Sequence, residues 1–230
     1  MVAKGKRKAG AASSSSPSAK RITRSSAKSS AAATGESVEA NRPPALADES
    51  SVGCRKTVAF LRGVNVGGRV HSMKSIAEAL RKTGFHNVET FFASGNVVFD
   101  APANREGDTS VPAIEHRVEE ALEKLFGCHI PVIARFMGEV AALSEQATKP
   151  ATAVNVVLVK EDLTKEQRDI VSALSTDADE LELLDKAFVW YSTTKMSESP
   201  LFKVAFDKKL GVPVTVRTVN TLRRIVAKFG

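Results

Sequence analysis

From residue 55 onward the chain alternates apolar runs with amphipathic stretches, and the order of the two predicts the fold. Thr57-Val58-Ala59-Phe60-Leu61 is an apolar run of strand length, followed by a glycine-rich stretch. Ser72 can cap a helix running to about Gly84, with Met73, Ile76, Ala77 and Leu80 on one face. Val88 to Phe92 and Val97-Val98-Phe99 predict strands joined by the tight turn Ala93-Ser94-Gly95-Asn96. A polar loop, Ala101 to Pro112, leads to a helix from Ala113 to Phe126. Its apolar Val118, Leu122 and Leu125 are expected inward, and Glu115, Glu119 and Glu123 outward. Ile130 to Phe136 predicts a further strand, so the order is βαββαβ, the order of a ferredoxin-like sheet backed by two helices.

The remainder repeats that order. A short helix, Gly138 to Gln146, leads to a strand at Val154 to Val159 and a helix from Thr164 to Leu174. Leu181-Glu182-Leu183 and Phe188-Val189-Trp190-Tyr191 predict strands joined at Asp185-Lys186. Alternation of strand side chains should place one of Trp190 and Tyr191 in the core and the other at the surface. A helix from Pro200 to Leu210, a strand at Val214 to Val216 and a helix from Asn220 to Phe229 complete the pattern. The fold expected is α+β, two tandem βαββαβ ferredoxin-like subdomains over residues 55–137 and 138–230. The repetition is one of element order; no residue-level repeat stands out.

Residues 1–52 differ in kind. They are rich in Ser, Ala, Lys and Arg, with few bulky aliphatic side chains, and predict a disordered tail. Of the 33 Lys and Arg in the chain the tail holds 9, against 4 of the 26 acids, so the rest of the chain is only weakly basic. The tail lacks the apolar core of a secretory signal. Two basic clusters, Lys4-Gly5-Lys6-Arg7-Lys8 and Lys20-Arg21 with Arg24 and Lys28, point to nuclear import and an import receptor. A mitochondrial address or a merely solubilising, cytoplasmic tail are the alternatives, and weak nonspecific nucleic-acid binding through phosphates fits the same charge. Two cysteines, Cys54 and Cys128, exclude a disulfide-built scaffold. No apolar run is long enough for a membrane span, and the four histidines are scattered without metal-ligand spacing, so neither a metal nor another cofactor is expected.

Candidate chemistry gathers at one sheet edge. Arg62-Gly63-Val64-Asn65-Val66-Gly67-Gly68 follows the first strand and precedes the first helix, as an anion-binding loop would. In a βαββαβ sheet the first two strands run the same way. Arg62, Asn65, Gly67 and Gly68 should therefore lie close to Ser94, Gly95 and Asn96. The plain alternative is that these polar loop residues only tie backbone groups together.

The same segments carry a resemblance. Arg62 to Gly68, Ser94-Gly95-Asn96-Val97-Val98-Phe99 and the stretch from Leu210-Gly211-Val212-Pro213 to Thr221 resemble the domain-of-unknown-function 1697 family. The resemblance spans about residues 55–230 and implies two α+β subdomains, but no particular reaction. It adds Arg217 and Thr221 as site positions. Where the family pattern has an Asn after that arginine, this chain has Thr218. The function expected is a non-catalytic binding module for a small anion, a nucleotide or a nucleic-acid phosphate. An enzyme acting on a phosphorylated or carboxylated small molecule, with Arg62 and Arg217 stabilising developing charge, is one rival. A protein-interaction domain is the other.

Overall fold

The structure, a computed structural model, describes residues 54–64, 72–104 and 106–230. The tail and residues 65–71 of the glycine-rich loop, with Asn65, Gly67 and Gly68, lie outside the described residues. The first unit is β1 (Arg55–Leu61), α1 (Met73–Lys82), β2 (His86–Phe91), β3 (Asn96–Ala101), α2 (Val111–Phe126) and β4 (Val132–Phe136), followed by α3 (Met137–Ser144). The second is β5 (Ala153–Val159), α4 (Lys165–Ala173), β6 (Asp179–Leu184), β7 (Ala187–Ser192), α5 (Phe206–Leu210) and β8 (Val214–Thr218), followed by α6 (Val219–Phe229). Each unit forms an antiparallel sheet, in the orders β2-β3-β1-β4 and β6-β7-β5-β8. This is the expected pair of βαββαβ units, and each carries one extra helix.

The extra helices explain the hydrophobic pattern of the central strands. β1 sends Ala59 and Leu61 towards α1 and α2, where they meet Ile76, Leu80, Val118 and Leu122. Its Val58 and Phe60 face the other way and share a core with Val156 and Leu158 of β5. Val140 and Leu143 of α3 and Leu222 and Ile225 of α6 join that shared core. Beyond β5, Val157, Val159, Trp190 and Phe206 form a third layer with α4 and α5. Strands buried on both faces read as continuous apolar runs, which is what β1 and β5 show.

Several expectations are corrected. Glu115 and Glu119 do not face solvent; both are buried. β4 is an edge strand, and its outward N–H groups need acceptors. Val132 N donates to Glu119 Oε1 and Ala134 N to Glu115 Oε1, each at 2.8 Å. Lys160, just past β5, pairs with Glu119 and lies 3.9 Å from Glu115. Leu125, expected inward, is exposed. Trp190 and Tyr191 are both buried, because each face of β7 is covered. Trp190 Nε1 donates to Asp179 Oδ1 at 2.7 Å, and the Tyr191 hydroxyl donates to the Gln146 carbonyl. The helix expected from Pro200 to Leu210 is two pieces. A 3₁₀ turn at Pro200–Lys203 ends where Val204 turns extended, and α5 starts at Phe206.

A residue-level repeat does exist. Pro131-Val132-Ile133-Ala134-Arg135 enters β4 as Pro213-Val214-Thr215-Val216-Arg217 enters β8. Arg62 N donates to Pro131 O at 2.9 Å, and Lys160 N donates to Pro213 O at 3.2 Å. Arg135 pairs across from Val58 and Arg217 across from Val156, equivalent positions of β1 and β5. Each guanidinium crosses to the other unit. Arg135 reaches Val159 O at 2.5 Å and Lys186 O at 2.7 Å. Arg217 reaches Leu61 O at 3.3 Å and Ser94 O at 3.0 Å. Leu61 and Val159 end equivalent strands, and Ser94 and Lys186 belong to equivalent hairpins. The two arginines are thus related by an approximate twofold.

Burial pushes the Glu115 carboxyl up to about 7 from an ordinary 4.5; the bond from Ala134 N and the charges of Lys160 and Arg135 only partly offset it. Between those two values the folded chain holds a proton that the unfolded chain has released. Folding stability should therefore fall as pH rises from about 4.5 through about 7. At one pH unit per about 1.4 kcal/mol, the contribution is on the order of 3 kcal/mol. Glu115→Gln keeps an acceptor for Ala134 N and should flatten the pH dependence in urea unfolding between pH 5 and 8. An unchanged slope would place the titration elsewhere.

Candidate functional site

The end of β1 and the β2–β3 hairpin meet as the topology requires. Leu61 N donates to Gly95 O at 2.7 Å. Gly95 has φ +78°, and an added Cβ would lie 3.1 Å from both Leu61 Cβ and Leu61 O. Only glycine fits there without strain, which is why the hairpin can press against the strand end. Asn96 is fully buried and closes the turn from inside, donating through Nδ2 to Phe91 O at 2.9 Å and to Ser94 Oγ at 3.0 Å.

Arg217 enters this corner from β8. Its Nε donates to Asn96 Oδ1 at 2.7 Å. Nη1 donates to Thr215 Oγ1 at 2.7 Å and to Val216 O at 2.9 Å, and Nη2 to the carbonyls of Leu61 and Ser94. A guanidinium has five N–H groups, so these bonds use its full donor set. Every acceptor is a neutral oxygen. Burial without a countercharge pushes the arginine down to about 10, and it stays protonated at neutral pH.

Leu61, Gly63, Val64, Ala93, Ser94, Thr215 and Arg217 line a cleft of about 440 Å³ at this corner. Ser94 Oγ and Thr215 Oγ1 each accept a bond from a nitrogen, so each hydroxyl keeps its own proton to donate. The described walls therefore combine a half-buried cation, two hydroxyl donors and the start of the glycine-rich loop. At the related corner, Ile133 and Ala187 take the places of Thr215 and Asn96. The Arg135 corner thus has apolar side chains at two positions that are polar at the Arg217 corner.

Of the expected site residues, the structure brings together Ser94, Gly95, Asn96 and Arg217. Arg62 lies beside the cleft, but its Nη2 pairs with Asp207 of α5 and its side chain is about 39% exposed. Thr221 is spent locally. Its N donates to Thr218 Oγ1 at 3.1 Å and the two hydroxyls lie 2.9 Å apart, so Thr218 caps α6. A threonine serves that cap as an asparagine would. Thr215 lines the cleft without having been expected there; the signal was its place between Pro213 and Arg217 in the repeated strand motif. Among the described residues no cluster of His, Cys, Asp or Glu could hold a metal ion, and no helix is long and apolar enough to cross a membrane.

The fold and this corner define a class: a duplicated ferredoxin-like α+β protein with one polar cleft where the two units meet. The chain belongs to the family described as Protein of unknown function (DUF1697), whose model matches residues 54–189. The match covers β1, the glycine-rich loop and the β2–β3 hairpin, and ends before Arg217 of β8 and Thr221 of α6. Among solved structures the chain is similar to the conserved bacterial protein SP0830 from Streptococcus pneumoniae. Sequence identity is 20% and the TM-score 0.57, covering 76% of this chain and 98% of that one. At that identity the similarity concerns the fold. No curated protein matches.

Gly95→Ala should lower stability by about 1–3 kcal/mol, because the left-handed φ and the close Leu61 carbonyl both oppose a Cβ. Arg217→Met should cost about 2–4 kcal/mol, since it strips donors from buried acceptors. Chemical unfolding measures both. Losses below 0.5 kcal/mol, the usual range for surface substitutions, would show that the corner is not a stabilising junction.

Proposed function

We propose that this protein is a non-catalytic binding module that holds a small phosphate-bearing anion in the cleft between β1, the β2–β3 hairpin and β8. The observation that carries the reading is Arg217, a half-buried guanidinium whose hydrogen-bond acceptors are all neutral oxygens, on the wall of an open cleft. Its N–H groups are already engaged. The arginine therefore acts by its field, while Ser94 and Thr215 hydroxyls, which accept from Asn96 and Arg217, donate to the ligand. Arg62 lies at the rim with its charge matched by Asp207. The basic clusters of residues 1–52 direct the protein to the nucleus, as a reporter fused to that segment would show by accumulating there.

Titration of the full chain with inorganic phosphate and with ribose 5-phosphate tests the site. Saturable binding that raises the melting temperature is expected. Ser94→Ala and Thr215→Val each remove one donor and should weaken binding roughly tenfold, the size of one charge-assisted hydrogen bond, at a stability cost of about 1–2 kcal/mol because Asn96 Nδ2 or Arg217 Nη1 loses an acceptor. No saturable binding of either anion, or unchanged affinity in both variants, would sink the proposal.

A further inference from the structure

The residue just before the cleft-lining Ala93 and Ser94 is an aromatic one, held at the surface with a positive φ. Phe92 has φ 57°, a region that bulky side chains avoid, and is 43% exposed. It directly precedes Ala93 and Ser94, which line the cleft. Phe91 buttresses it, with ring centroids 4.1 Å apart and an interplanar angle of 52°. Phe91 is itself fixed against the shared core and lies edge-on to Phe229 at 5.9 Å. The Arg224 guanidinium lies over the Phe92 ring, 4.5 Å from its centre, where a stacking base would have to take its place on that face. The hairpin itself sets that φ, as Lys186 (φ 51°) shows in the equivalent turn; the turn does not explain why the residue is a phenylalanine with nearly half of it in water.

We propose that the ligand of the cleft carries a nucleobase, which stacks on Phe92 beside Arg224 while its phosphate lies near Ser94, Thr215 and Arg217. This inference rests on the anion-binding reading of the cleft and specifies its substrate class. An exposed ring next to cations is the arrangement that sequence-tolerant base recognition uses: every base has a π-face to stack, and the cations favour the attached phosphate. A free nucleotide and a nucleotide unit within a single strand share this chemistry.

The test compares AMP with ribose 5-phosphate, which differ by the base, on the full chain. AMP should bind roughly tenfold more tightly, the scale of one base–aromatic stack. Phe92→Ala should remove that advantage and leave ribose 5-phosphate affinity unchanged, while Phe92→Tyr should keep it. Phe92→Gly relieves the positive φ, so it should melt no lower than wild type and still lose the advantage. Equal affinity for AMP and ribose 5-phosphate in the wild type overturns the nucleobase inference and leaves the anion site standing. So does an AMP advantage that survives Phe92→Ala and Phe92→Gly. Failure of ribose 5-phosphate to bind at all overturns the anion site itself, and the inference with it. A ten-residue oligothymidylate distinguishes the two sources. Phe92-dependent binding of the strand that exceeds AMP binding assigns a single strand, whereas Phe92-dependent binding of AMP alone assigns a free nucleotide.

Discussion

Two arginines that cross between the sheets, Arg135 fully buried and Arg217 half-buried, carry the architecture. Arg135 and Arg217 leave equivalent edge strands and end on the carbonyls of the opposite unit, at a strand end and a hairpin in each case. A desolvated guanidinium is costly unless its donors are satisfied. Carbonyls at strand ends have spare lone pairs that the ladders do not use, and the planar fork can reach two of them at once. The shared apolar core brings the sheets together without fixing one precise placement, because burial is not directional. The guanidinium bonds are directional, and they set where each strand end meets its neighbour.

The twofold is broken where it matters chemically. Around Arg135 the neighbours are apolar, and Glu115, Glu139 and Asp162 supply nearby negative charge. Around Arg217 the neighbours are Asn96 and Thr215, and the acceptors are neutral. Duplication thus yields two junctions from the same strand motif, with Ile133 and Ala187 at one where Thr215 and Asn96 stand at the other. Because Arg217 holds the cleft walls as well as charging them, its loss would disturb shape and potential together. The hydroxyls of Thr215, which accepts from Arg217, and of Ser94, which accepts from Asn96, are the cleaner handles on binding.

The interior of α2 follows the same logic on a smaller scale. Edge strand β4 presents N–H groups that another strand would otherwise pair. Glu115 and Glu119, one turn apart, cap them, and Lys160 of the other unit balances the charge. A helix face that looks solvated in sequence is here a polar seam between units. Its cost shows in the raised Glu115 carboxyl, which holds its proton up to about pH 7.

Element order was legible in the sequence, because each element states its own period: apolar runs for β1 and β5, spaced apolar positions for α1 and α6, glycine and asparagine at the β2–β3 turn. The convergence of Ser94, Gly95 and Asn96 on the end of β1 followed from that order alone, since strand direction is fixed by topology. The repeated Pro-Val-x-x-Arg motif was present in the sequence too, but its meaning lay in acceptors 24 and 51 residues from Arg135 and 123 and 156 from Arg217. Tertiary structure alone decided that Glu115 and Glu119 are inside, because their partners are backbone groups of an edge strand and a lysine of the other unit. It also turned Arg62 to Asp207, made Thr215 a wall of the cleft and left Phe92 exposed in a left-handed turn. Local pattern reports how a residue stands to its own helix or strand, whereas charge burial, pairing and exposure depend on what packs against that element from far along the chain.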